Sequence, residues 1–104
     1  MSTQTIGEKL RHLREKKVLP LRKVATTIDV DVAILSKMER GVRKFTKDIV
    51  MQLAKVYGHN VDDLLVLFLS DKILDEVQGE ELGTRALKVA EQRMKSKGKT
   101  NGKK

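Results

Sequence analysis

The chain has 104 residues, with 22 Lys and Arg against 14 Asp and Glu, for a formal net charge of +8. It contains no Cys, which excludes disulfides and thiolate metal sites. Aromatic residues make up 3% of it, so a domain of this size must build its core from Leu, Val, Ile, Ala and Met. The N-terminal segment has no apolar stretch of the signal-peptide kind. The longest apolar run, Leu64 to Leu69, is far shorter than a membrane span. These features imply a cytoplasmic protein with no membrane partner.

The predicted elements are all helical, and the fold class expected is all-α. Thr5 and Glu8 have capping-box spacing and open a first helix over about 6–17, with Ile6, Leu10 and Leu13 on one face. Pro20, the only proline, ends that pattern and suits the start of the next helix, because its missing N–H costs nothing there. Helix 2 covers about 21–28, with Leu21, Val24, Ala25 and Ile28 inward. Asp29-Val30 is the turn, Asp31 caps a third helix over about 32–40, and Leu35 and Met38 point inward from it. Gly41 stops this helix. Thr46 caps helix 4, about 47–57, which carries Ile49, Val50, Leu53, Ala54 and Tyr57 inward and stops at Gly58. Asn60 caps helix 5, from 61 to about 77, whose inward stripe is Val61, Leu64, Leu65 and Phe68. After Gly79 a sixth helix, about 80–95, carries Leu82, Ala86, Leu87, Ala90 and Met94. The Lys, Gly, Thr and Asn of the tail bury nothing, so disorder is expected there. The organisation is thus a domain over 1–70, a helical extension over 71–94 and a basic tail over 95–104.

Helices 2 and 3 are too short and too closely joined to form an antiparallel hairpin. They must cross steeply, as in a helix-turn-helix. Ala25 supplies the small side chain such a crossing needs, and Val30 plugs the turn. Charge is distributed to match. Residues 1–58 hold 13 basic and 6 acidic side chains, net +7; residues 59–94 are net −4; the tail adds +5. The basic first half suits a polyanion.

The segment from Ile6 to Leu65 resembles the phage-repressor or Cro-like (Xre-type) helix-turn-helix domain. The resemblance rests on Leu10, Leu13-Arg14, Val24-Ala25, Val30, Leu35-Ser36-Lys37-Met38-Glu39-Arg40-Gly41, Leu53-Ala54 and Leu64, all in register. The stretch from Leu19 to Lys47 is also similar to small regulators associated with restriction–modification genes. Asp29 stands where the family usually has glycine, and Asp tolerates the left-handed backbone. Pro20-Leu21 replaces the usual polar pair, Phe45 the usual proline, and Asp31 the usual Ser or Thr.

The resemblance implies a five-helix repressor-like domain that binds double-stranded DNA and regulates transcription. It implies that Val32, Ala33, Ser36 and Lys37 read bases in the major groove. Lys37 can donate to guanine and the two apolar residues can touch a thymine methyl. Arg22, Lys23, Arg40, Arg43, Lys44 and Lys47 flank that helix and suit phosphate contacts. Arg14 and Glu39 match the family's structural salt bridge.

Helix 5 carries more apolar residues than one stripe can use. Val66, Leu67, Leu69 and Ile73 require a second partner, either the sixth helix or another subunit. A homodimer on a palindromic operator is the expectation. His12 and His59 are isolated, so no metal ligand set is read. No catalytic constellation is present, so the chain is not read as an enzyme, and neither a cofactor nor a small-molecule ligand is expected. Two rival readings are an antitoxin-like protein-interaction module and a non-specific nucleic-acid binder.

Overall fold

The computed structural model of the chain describes residues 4–101, with side chains as far as residue 97. Among the described residues there are six helices and no strand: α1 (Ile6–Lys16), α2 (Leu21–Thr27), α3 (Val32–Glu39), α4 (Lys47–Tyr57), α5 (Val61–Val77) and α6 (Gly83–Asn101). The all-α class is as expected. Counted over the described residues there are six helices, α6 being additional to the five of the expected repressor-like domain. The chain divides into two compact units, residues 1–71 and 72–104, so the division falls inside α5.

In the first unit the termini of the helices follow from their caps. The Thr5 hydroxyl accepts from the Glu8 N–H while the Glu8 carboxylate accepts from the Thr5 N–H, each at 3.1 Å. Pro20 is the N-cap of α2 and offers no side-chain cap. Asp31 caps α3 by accepting from the N–H groups of Ala33 and Ile34 at 2.8 and 3.3 Å. Thr46 caps α4 by accepting from the Ile49 N–H, and Gly58 ends it in the left-handed conformation. Asn60 accepts from the Asp63 N–H at the head of α5.

The core joins all five helices of this unit. Leu10, Val24, Leu35, Val50, Leu53 and Leu64 are fully buried, and Ala25, Ile28, Met38, Ala54, Tyr57 and Phe68 close around them. Truncating such a leucine to alanine costs about 2–5 kcal/mol. Phe45 is also buried, so the residue in place of the family's proline is a core side chain. Val30 packs against the core from the turn between α2 and α3. Asp29 in that turn has φ 58°, the left-handed conformation expected of it. Some expected inward residues sit differently, Leu21, Ile49 and Leu65 being only partly buried. Val61 is exposed at the first turn of α5, and Leu13 is only partly covered.

Two features fix α1 against its neighbours. Gly7 is buried so closely against α3 that a Cβ there would lie 2.7 Å from the Glu39 carbonyl oxygen. The Ile6 N–H, left free at the head of α1, donates to the Asp71 carboxylate at 2.9 Å.

In the second unit α5 ends at Val77, and Gly79 turns the chain with φ 87°. Gly83 then sits so close to Val77 that a Cβ would meet its carbonyl oxygen at 2.6 Å. This approach sets the start of α6 at Gly83, three residues later than the sequence pattern implies. The helix also runs on to Asn101, beyond residue 95 where disorder is expected; residues 102–104 lie outside the described residues. The expected inward residues of α6 are not buried. Leu82, Leu87 and Met94 are exposed, as are Ala86 and Ala90.

Candidate nucleic-acid interface

The site is built on α3. Leu35, Met38 and Glu39 are buried on its inner side. At 3.6 residues per turn this leaves Ala33, Lys37 and Arg40 on one outward face, with Val32 and Ser36 beside them. Val32, Ala33, Lys37 and Arg40 are exposed and Ser36 is half-buried. The Arg40 Nε donates to the Ser36 hydroxyl at 3.4 Å, so these two side chains lie along each other one turn apart. Arg22 and Lys23, in the first turn of α2, are exposed, as are Arg43 and Lys44 in the α3–α4 loop and Lys47 at the head of α4. Arg22 and Lys23 line a shallow groove with Pro20, Thr26 and Thr27.

The loop after α3 is held by backbone hydrogen bonds to the end of that helix, the Gly41 N–H donating to the Met38 carbonyl oxygen at 3.1 Å. The Lys37 carbonyl oxygen accepts from the Val42 N–H at 2.8 Å and from the Arg43 N–H at 3.2 Å. Gly41, with φ 81°, permits the reversal. Arg43 is thereby fixed relative to Lys37 through the backbone. Val42 is exposed on this loop, a position the sequence pattern gave no reason to single out.

The orientation of α3 is set from α1. Arg14 donates through Nε and Nη2 to the two carboxylate oxygens of Glu39, at 2.9 and 3.1 Å. Its Nη1 donates to the Leu19 carbonyl oxygen at 2.9 Å. The pair is largely buried, with side-chain exposures of 14% and 6%. The hydrogen bond that Arg14 donates to Glu39 raises the Arg14 pKa above its already high value, against the opposing effect of burial. The guanidinium thus ties α3, α1 and the α1–α2 connection together. Tyr57 lies near this pair with a buried hydroxyl that has no hydrogen-bond partner. Burial raises its pKa, and the Glu39 charge raises it further.

A family model described as a helix-turn-helix domain matches residues 5–67, well over half of the chain. The chain belongs to the helix-turn-helix domain family. That membership agrees with the resemblance read from the α1–α5 residues. The chain is also similar to a protein named HTH-type transcriptional regulator DdrOP3 from Deinococcus deserti (strain DSM 17065 / CIP 109153 / LMG 22923 / VCD115). The two are 38% identical over 58 residues, which cover 56% of this chain and 45% of the relative. The match therefore spans less than half of the relative's length. No solved structure matches the chain at a significant level.

On α5 the apolar residues divide between two sides. Leu64 and Phe68 are buried, and Leu65 and Leu67 pack partly against the core. Leu67 is therefore half-covered by its own unit, because it stands three residues after the buried Leu64, on the flank of the core side. Val66, Leu69 and Ile73 are exposed, at 66%, 49% and 48%. Among the described residues, no helix is long and apolar enough to cross a membrane.

Proposed function

We propose that this helix-turn-helix protein is a sequence-specific regulator of transcription that binds double-stranded DNA as a homodimer. The observation that carries the reading is the outward face of α3, with Val32, Ala33, Ser36 and Lys37 on a helix whose other side is locked by Leu35, Met38 and the Arg14–Glu39 pair. A rigid helix with such a face suits the major groove. Lys37 donates to guanine, Ser36 donates or accepts, and Val32 and Ala33 contact thymine methyls. Arg22, Lys23, Arg40, Arg43, Lys44 and Lys47 hold the phosphates on either side. The exposed stripe Val66, Leu69 and Ile73 joins two copies, which puts two copies of α3 about one DNA turn apart on a palindromic site. Such a dimer has no need of a cofactor and acts in the cytoplasm. It controls its own gene or adjacent restriction–modification genes, as the resemblance to those small regulators suggests.

The test is selection of bound DNA from a random pool, repeated with Lys37→Ala and Arg43→Ala. Lys37→Ala costs about 1–3 kcal/mol on the selected site and relaxes preference at one base pair per half-site. Arg43→Ala weakens all sequences alike. A pool that shows no enriched sequence rejects sequence-specific reading and leaves a non-specific binder.

A further inference from the structure

Of the 13 large apolar residues exposed among the described residues, eight fall between Val66 and Met94, within α5, α6 and their connection. Scattered single residues of this kind are ordinary, but a concentration marks a surface that binds something. Each helix has its own open stripe. On α5, Val66, Leu69 and Ile73 recur at helical spacing on the side opposite Leu64 and Phe68. On α6, Leu87 and Met94 share a side with Ala86 and Ala90, while Arg85, Lys88 and Lys95 occupy the opposite side.

Charge decides which stripe meets which. Residues 61–83 hold seven acidic side chains and one basic, net −6, whereas residues 84–101 hold six basic and one acidic, net +5. At helical spacing, Asp62 and Glu76 fall on or beside the open stripe of α5, and Arg93 and Lys97 border that of α6. Packing α5 against α5 of another copy sets acid against acid, and α6 against α6 sets base against base. Like charges directly opposed are destabilising, and unlike charges fix the choice of partner. We propose that α6 of one copy lies along α5 of a second copy, its Leu87 and Met94 covering Val66, Leu69 and Ile73, so that two copies exchange their C-terminal helices. This rests on the dimer reading above and names what covers the α5 stripe. The outer side of α6, with Arg85, Lys88 and Lys95, stays free in this arrangement.

The chain has no cysteine, so introduced thiols are unique. Full-length Leu69→Cys protein is mixed with size-tagged Leu87→Cys or Met94→Cys protein and oxidised, and sedimentation of the unmodified chain gives its mass. The expected result is a dimeric mass and a disulfide joining chains of different size for at least one pairing. Exclusive Leu69→Cys homodimers would overturn the exchange but leave the dimer standing. So would a dimeric mass with no mixed species for either pairing. The double variant Leu69→Cys/Leu87→Cys, if it closes only within one chain at monomer mass, assigns α6 to its own α5 and also overturns the proposal. A monomeric wild-type mass would remove the dimer reading as well.

Discussion

Gly7 on α1 and Glu39 on α3 approach so closely that the space for a single Cβ is missing, with the Glu39 carbonyl oxygen 2.7 Å and the Met38 carbonyl oxygen 2.9 Å from where it would sit. Both obstacles are backbone, so no side-chain rotation can relieve them. Gly7→Ala must therefore push α3 away from α1. The expected loss of stability is about 1–3 kcal/mol, read from urea unfolding. Since the same displacement moves the outward face of α3, DNA affinity measured well below the unfolding temperature should fall too. A Gly7→Ala protein of wild-type stability would show that α1 and α3 adjust at no cost.

The Arg14–Glu39 pair makes a second demand on the same contact. Removing one partner strands the other's charge among buried groups. Glu39→Ala or Arg14→Ala should each cost about 3–5 kcal/mol. The double variant Arg14→Met/Glu39→Leu should recover a large part of that loss, because no unpaired charge then remains. The check is a double-mutant cycle by chemical denaturation. Additive losses would mean that the two side chains contribute independently.

Tyr57 gives a pH signature. Its folded-state pKa is raised above the ordinary phenol value of 10.0, chiefly by burial. The neutral phenol is thus favoured in the folded chain, and the unfolded chain binds fewer protons once pH passes that value. Stability should be constant with respect to this group below about pH 10 and decline above it. Tyr57→Phe should remove that alkaline decline. It also deletes an unsatisfied buried hydroxyl, so at neutral pH it should leave stability unchanged or raise it by about 1 kcal/mol. Thermal melts between pH 8 and 11 on both proteins make the comparison. Identical alkaline slopes would rule Tyr57 out as the source.

Val18 lies in the α1–α2 connection with φ 54° and is 84% exposed. A β-branched residue in the left-handed region is strained, and here little burial offsets the strain. Val18→Gly should stabilise the fold by on the order of 1 kcal/mol. A calorimetric melting temperature at or below that of the wild type would place Val18 in a contact that matters.

Most helix boundaries were legible because the residues that set them are local. Thr5, Asp31 and Thr46 cap helices through hydrogen bonds two or three residues away, and Gly58 stops α4 by its own backbone conformation. The buried stripes of α2, α3 and α4 follow from 3.6-residue spacing for the same reason. What a pattern cannot carry is distance between segments far apart in sequence. Gly7 reads as an indifferent first-turn residue until α3 is laid against it, and Gly83 until Val77 is. Phe45 reads as a loop residue, and its burial is set only when the core assembles around it. The outward face of α3 was readable as the complement of Leu35 and Met38. Val42 was not, since its position depends on two hydrogen bonds to the Lys37 carbonyl oxygen. Spacing also makes α6 look amphipathic, without saying whether the apolar side is covered within the chain.

The bond from the Ile6 N–H to the Asp71 carboxylate joins residues 65 apart in sequence. It brings the first turn of α1 together with the last residue of the first unit, so the chain enters and leaves that unit at one edge. A unit with adjacent ends behaves as a cassette. Other segments can be carried on the chain beyond Asp71, or the ends joined and the chain opened elsewhere, without rerouting anything near α3.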